Sequence, residues 1–165
     1  MVILGGGESG VGAAILCRKQ GIEVFVSDSG KIPERYKNEL KQYDIAFEEE
    51  KHSEEKILNA DEVVKSPGIP EKNELVQKIK TKGIKVISEI ELAYRHKGAG
   101  KIIAITGSNG KSTTTALTGH ICKTGGMDCA VVGNIGYSFA RQVALDPKPL
   151  YVAEVSSFQL DDIET

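Results

Sequence analysis

Ile102-Ile-Ala-Ile-Thr-Gly-Ser-Asn-Gly-Lys-Ser-Thr-Thr-Thr115 runs from an apolar strand pattern through a turn of small residues into a helical start. The common phosphate loop reads Gly-x-x-x-x-Gly-Lys-Ser/Thr. Gly110, Lys111 and Ser112 fit its end, but its first glycine would fall at Ile105, an apolar strand residue. The shorter turn Gly107, Ser108, Asn109, Gly110 can still aim backbone N–H groups at phosphate oxygens. Lys111 supplies a point charge for the outer phosphates, and Ser112 or Thr113 a hydroxyl for magnesium. A helix cap with a threonine-rich first turn is the bland alternative. It leaves an apolar strand ending in Thr-Gly-Ser-Asn-Gly-Lys-Ser without a reason.

Downstream, Glu154 ends the strand pattern Tyr151–Val155. A carboxylate there faces the ligand edge of a parallel sheet and could hold magnesium beside Lys111. It could equally be an ordinary strand-end carboxylate. Asn134, in Gly133-Asn-Ile-Gly136, follows another strand and either reaches a ligand or makes a turn.

Upstream, Val2–Leu4 stops in Gly5-Gly6-Gly7-Glu8-Ser9-Gly10, and a helical face follows at Val11–Gln20. This is Gly-x-Gly-x-x-Gly in the strand-to-helix context that gives the motif meaning. Glycines let the backbone approach a diphosphate at a helix N-terminus. Asp28, ending a strand at Ile22–Ser27, can accept from a ribose hydroxyl. NAD, another nucleotide, or a glycine turn needed only for packing all satisfy this loop.

Between the two loops the pattern predicts a helix from Pro33 to Tyr43, a strand at Ile45–Phe47 and a helix capped by Ser53. A strand at Val63 and Val64 follows, stopped by Ser66-Pro67-Gly68-Ile69-Pro70. The pattern then continues with a helix at Glu74–Lys82, a strand at Lys85–Ile87 and a helix at Glu89–Tyr94. Alternation of this kind means α/β architecture with parallel sheets. The expectation is a Rossmann-like domain over 1–95, a basic, glycine-bearing linker over 96–101, and the first part of a P-loop-type ATPase domain over 102–165.

Composition fits an ordinary soluble chain of 165 residues, 40% hydrophobic and 27% charged. The net charge of -2, without a basic block, argues against nucleic acid. No apolar run reaches membrane length, and the start lacks the pattern of a signal peptide. Cys17, Cys122 and Cys129 have no metal-type spacing and read as reduced thiols of a cytosolic protein. His52, His96 and His120 are scattered and read as surface or helix residues, and Glu48-Glu49-Glu50-Lys51 as a solvated face.

Ile-Thr-Gly-Ser-Asn-Gly-Lys-Ser-Thr at Ile105–Thr113 resembles the ATP loop of the Mur ligases and folylpolyglutamate synthetases, where the shortened form is the rule. Glu-Val-Ser-Ser-Phe-Gln-Leu at Glu154–Leu160, Gly-Asn-Ile-Gly at Gly133–Gly136 and Ser-Pro-Gly-Ile at Ser66–Ile69 place the likeness within the Mur ligases. They match the branch that joins D-glutamate to UDP-N-acetylmuramoyl-L-alanine. The resemblance implies that the first domain holds a UDP-sugar peptide and not NAD. Glu8 and Ser9 would lie near the uracil and diphosphate. Asp28, Ser29, Ser66 and Gly68 would lie at the uracil end, and Asn134 would touch the substrate from the central domain. Lys111 would bind phosphate, with Ser112 and Glu154 as magnesium ligands. The implied reaction is ATP-dependent amide formation in the cytoplasm through an acyl phosphate, serving peptidoglycan precursor synthesis.

A chain ending at Thr165 would lack the rest of the central domain and a third domain. The expectation is therefore no complete reaction by this chain alone, and an exposed apolar sheet edge that favours self-association. Two rivals stand beside the ligase: a nucleotide-binding regulatory module, and an NAD-dependent oxidoreductase that would leave the second loop without a task.

Overall fold

A computed structural model describes residues 1–160, 163 and 164. Strands β1 (Val2–Leu4), β2 (Phe25–Ser27), β3 (Ala46–Glu48), β4 (Glu62–Lys65) and β5 (Lys85–Ser88) form one parallel sheet in the order β3-β2-β1-β4-β5. The short apolar runs of β1 and β4 are what a strand covered on both faces needs. Helices α1 (Glu8–Lys19), α2 (Glu34–Gln42), α3 (Glu54–Ile57), α4 (Glu74–Thr81) and α5 (Glu89–His96) follow these strands in turn. A second parallel sheet, ordered β6-β8-β7, contains β6 (Lys101–Ile105), β7 (Cys129–Gly133) and β8 (Leu150–Glu154). It carries α6 (Lys111–Thr124), α7 (Phe139–Leu145) and α8 (Ser157–Leu160), a single turn that the sequence pattern did not signal.

Two boundaries and one cap differ from expectation for identifiable reasons. α1 begins at Glu8, before its apolar face, so the glycine loop itself becomes the helix start. Pro33 occupies the N-cap of α2 rather than its first turn, with extended ψ of 140°. Ser53 sits at the N-cap of α3 but makes no capping bond, because its hydroxyl donates to Glu48 Oε2 at 2.5 Å.

The two sheets share one core. α7 packs against α1 and α5 of the first unit. Phe139, Ala140 and Val143 of α7 join Ile3, Ile15 and Leu92 in the same buried cluster. Phe139 is fully buried and meets the Tyr151 ring edge-on, centroids 4.8 Å apart. Burying a side chain of that size contributes about 2–3 kcal/mol. The loop at 97–100 is therefore bridged by packing, not only by its own covalent chain. Gly12 makes the close approach possible: a Cβ there would collide with Ser138 Oγ and stand 3.0 Å from Arg141 Cβ.

On the far side the second unit is open. β6 is an edge strand with Ile103 39% exposed, and α6 presents Leu117 and Ile121 at 56% and 60% exposure. No helix among the described residues is long and apolar enough to cross a membrane.

Candidate functional site

In an open parallel sheet, ligands bind at the carboxyl ends of the strands where the strand order reverses. Here β1 lies between β2 and β4, so the reversal falls beside β1. A cleft of about 370 Å³ occupies that place. It is walled by the turn after β1 (Gly5, Gly7, Glu8, Ser9), by Asp28 and Ser29 after β2, by His52 after β3, and by Ser66–Ile69 after β4. Six residues singled out in the sequence converge here: Glu8, Ser9, Asp28, Ser29, Ser66 and Gly68.

The walls are tied together by backbone bonds. Asp28 accepts from Gly6 N at 2.6 Å and from Gly30 N at 2.7 Å, so its carboxylate braces the glycine turn against the β2 loop. Gly5 has φ of +102°, and a side chain there would strike Ser66 Oγ. That glycine lets the β1 and β4 loops close on each other. Below them Lys65, 3% exposed, donates to Ile69 O at 3.1 Å and pairs with Glu71 at 3.1 Å, which fixes the Ser66–Ile69 turn. The N-terminus of α1 opens into this space, and its unpaired N–H groups favour an anion.

Glu8 does more than line the cleft. Its Oε1 accepts from Arg141 Nε at 2.8 Å and Ser138 N at 3.2 Å, and its Oε2 accepts from the Tyr36 hydroxyl at 3.3 Å. Arg141 also bonds Glu39. Burial works against the Arg141 charge, but the bonds to Glu39 and Glu8 outweigh it and raise its pKa. The Glu8 side chain thus also docks α7.

The acidic stretch at the end of β3 is a solvated face only in part: Glu50 and Lys51 are exposed, but Glu48 and Glu49 are not. Glu48 is 8% exposed and accepts from Ser27 Oγ at 2.8 Å and Ser53 N at 2.7 Å. Burial pushes its pKa up, but these bonds and the Ser53 hydroxyl prevail and hold it below the usual carboxylate range. Glu49 accepts from Ile32 N at 2.8 Å and from Lys37 at 3.0 Å. His52, expected at a surface or on a helix, lines the cleft instead, with Nδ1 2.7 Å from Ser27 Oγ. The signal was its place just after a strand, on the ligand edge of a parallel sheet.

The second loop lies at the carboxyl edge of the second sheet. Gly107–Gly110 is exposed, and Lys111 Nζ donates to Gly107 O at 2.7 Å, folding the lysine over the turn. Ser112 and Thr113 are exposed on the first turn of α6. Glu154 pairs in register with Ile105 on one side and Gly133 on the other. It is 4% exposed, and its Oε2 has no hydrogen-bond partner. A buried, orphaned carboxylate oxygen is costly unless a cation or donor meets it. No group of three or more His, Cys, Asp or Glu among the described residues could form a protein metal cage. One carboxylate, a hydroxyl and ligand phosphates are the usual set for magnesium. Asn134 does not line the cleft. It is exposed at the end of β7, and its N–H donates to Glu154 O at 3.1 Å. Ser156 hydroxyl bonds Gln159 at 2.9 Å, and Cys122 and Cys129 share a small apolar cluster with Val152.

A family model described as Mur ligase MurD-like, N-terminal domain, matches residues 1–88. A Cytophaga hutchinsonii protein named UDP-N-acetylmuramoylalanine--D-glutamate ligase is 58% identical, over 100% of this chain and 37% of its own length. A Christiangramia forsetii protein of the same name is 54% identical, over 99% of the chain and 37% of its own length. The chain thus spans little more than a third of these relatives. Among solved structures, a Neisseria UDP-N-acetylmuramate:L-alanyl-gamma-D-glutamyl-meso-diaminopimelate ligase superposes with a TM-score of 0.62 at 21% identity, covering 95% of the chain and 54% of that structure. A murein peptide ligase from Psychrobacter arcticus gives 0.58 at 21% identity, covering 95% and 38%. The structural likeness carries the fold, and the sequence matches carry the family: the chain belongs to the Mur ligases, with a MurD-like N-terminal domain.

Proposed function

We propose that this chain is the precursor-binding and ATP-loop portion of a cytoplasmic ligase that joins D-glutamate to UDP-N-acetylmuramoyl-L-alanine. The observation that carries the proposal is the cleft at the sheet's reversal point, where Glu8, Ser9, Asp28, Ser29, Ser66 and Gly68 meet. Relatives more than half identical over the whole chain bear the name of that activity. Residues 1–95 then act as the UDP-precursor domain, 96–101 as a connection, and 102–165 as the start of the ATP-binding domain.

Each group has a task suited to its place. The α1 N-terminus and the glycine turn receive the diphosphate. Asp28 and Ser29 lie where the nucleoside end would rest. Lys111 is released from Gly107 O to meet the outer phosphates of ATP, and Gly107–Gly110 with Ser108 and Asn109 offers backbone donors to them. Ser112 and Glu154 would hold magnesium, with Thr113 alongside. Bound there, the metal would neutralise phosphate charge and orient the nucleotide. Asn134, joined to Glu154 through the backbone, stands where the precursor's peptide end could reach the second unit.

The test is a thermal-shift titration of the chain with UDP-N-acetylmuramoyl-L-alanine, with ATP plus magnesium, and with NAD. A ligand that binds only the folded state raises the melting temperature. A rise with the UDP precursor and none with NAD is expected. A rise with NAD alone overturns the proposal in favour of an oxidoreductase.

A further inference from the structure

We propose that His52 is a nucleoside-recognition residue, reading a hydrogen-bond donor of the uridine through Nε2. This rests on the assignment of the cleft as the uridine-diphosphate site. The argument starts from Glu48. Its carboxylate is buried, accepts from Ser53 N and Ser53 Oγ, and is held ionised, so it can only accept. The Ser27 hydroxyl, fully buried and 2.8 Å from Glu48 Oε1, must therefore donate its one proton to that oxygen. What Ser27 offers His52 is a lone pair, at 2.7 Å from Nδ1. Nδ1 must then carry the ring proton.

This chain of bonds fixes the tautomer. In the neutral ring Nδ1–H faces Ser27, and Nε2 is left as a bare acceptor. His52 lines the same cleft as Asp28 and Ser29, where a nucleoside would rest. Two donors of a uridine are taken to answer the acceptor: the imide N3–H of the base and the ribose 2′-hydroxyl. Asp28 does not compete for them freely, because both its oxygens already accept backbone N–H groups.

Two substitutions separate the ring's two ends. Asparagine can reproduce the Nδ1 donor to Ser27 but not Nε2. Glutamine can place an acceptor where Nε2 stands. The experiment is calorimetric titration of the parent chain, H52N and H52Q with UDP, with N3-methyl-UDP and with 2′-deoxy-UDP, each variant's fold being checked by its melting curve. One hydrogen bond of this kind corresponds to about a tenfold affinity change. H52N is expected to bind UDP about tenfold more weakly than the parent, and H52Q within about threefold of it. One analogue should bind the parent and H52N alike, which identifies the donor that His52 reads. If H52N binds UDP as the parent does, or if its loss multiplies with the loss from both analogues, the contact is overturned while the cleft assignment stands. No UDP binding by the parent chain overturns the cleft assignment and the contact together.

Discussion

Glu89 ties the two units together and should make their union pH-dependent. It opens α5, is 2% exposed, and accepts from Ala140 N of α7. Burial raises its pKa from the ordinary 4.5 to about 7; the Ala140 bond opposes the rise, and the Glu8 charge adds to it. A carboxyl with a raised folded pKa favours folding most when protonated. Its contribution is complete below the unfolded value and is lost as pH rises through about 7. Glu48, Glu49 and Glu71 have lowered values, so their contributions are present above 4.5 and lost only below it. The two windows barely overlap.

The Glu89→Gln variant isolates the effect, since its amide oxygen can still accept from Ala140 without ionising. At about 1.4 kcal/mol per pH unit of displaced titration, the stability gap between variant and parent should widen by about 2.5 kcal/mol from pH 5 to pH 8, in favour of the variant. Urea unfolding followed by circular dichroism at each pH measures the gap. A gap constant to within about 0.5 kcal/mol across that range refutes the reasoning. It would mean that the α7 N-terminus and the Ala140 bond hold Glu89 ionised in spite of its burial.

Three further outcomes follow from the same geometry. Arg141→Met should lower stability by about 2–3 kcal/mol in urea, less than for a fully buried pair because Glu8 and Glu39 keep partial contact with water; an unchanged midpoint would remove the ion pairs from the account. Gly12→Ala forces a methyl into Ser138 and Arg141 and should cost more than 1 kcal/mol despite alanine's better helix propensity, with faster amide exchange in α7 as the second readout. Glu154→Gln removes a buried charge with an orphaned oxygen, so the chain alone should be at least as stable as the parent. The magnesium-dependent part of its thermal shift with ATP should disappear, whereas persistence of that part would take Glu154 out of the metal site.

Much of this architecture was legible in local pattern. Each βα unit carries its own period, and each glycine loop sits between a strand and a helix. Those are short-range facts, and the glycine turn and Asp28 followed from them; Glu8, Ser9, Ser29, Ser66 and Gly68 were singled out by the resemblance to the Mur ligases. What stayed hidden depends on pairs distant in sequence. Glu8 and Arg141 are far apart along the chain, and nothing in either segment announces their bond. Glu48 and His52 read as polar surface because an acidic run usually is; only the register of β3 beside β2 places Ser27 between them. The basic glycine stretch at 96–101 read simply as a linker for the same reason, since the packing that spans it comes from α7, some forty residues on.

That packing gives the two candidate sites a common support. The glycine turn of the first site ends in Glu8, which holds Ser138 and Arg141 at the start of α7. α7 follows the Gly133–Gly136 turn, and Asn134 there bonds the backbone of Glu154 in the second. One helix and one strand end therefore separate the cleft beside β1 from an orphaned carboxylate. Rotation about 97–100 would have to uncover Phe139 and Ala140 and strip two carboxylates from Arg141. Each step costs kilocalories that the loop cannot return. The ligand edges of the two sheets are thus held in fixed relation before any ligand arrives. On the proposed reading, in which phosphate passes from a nucleotide at the second site to a precursor held in the first, such a relation would help, because a near-attack geometry set in advance need not be assembled at binding.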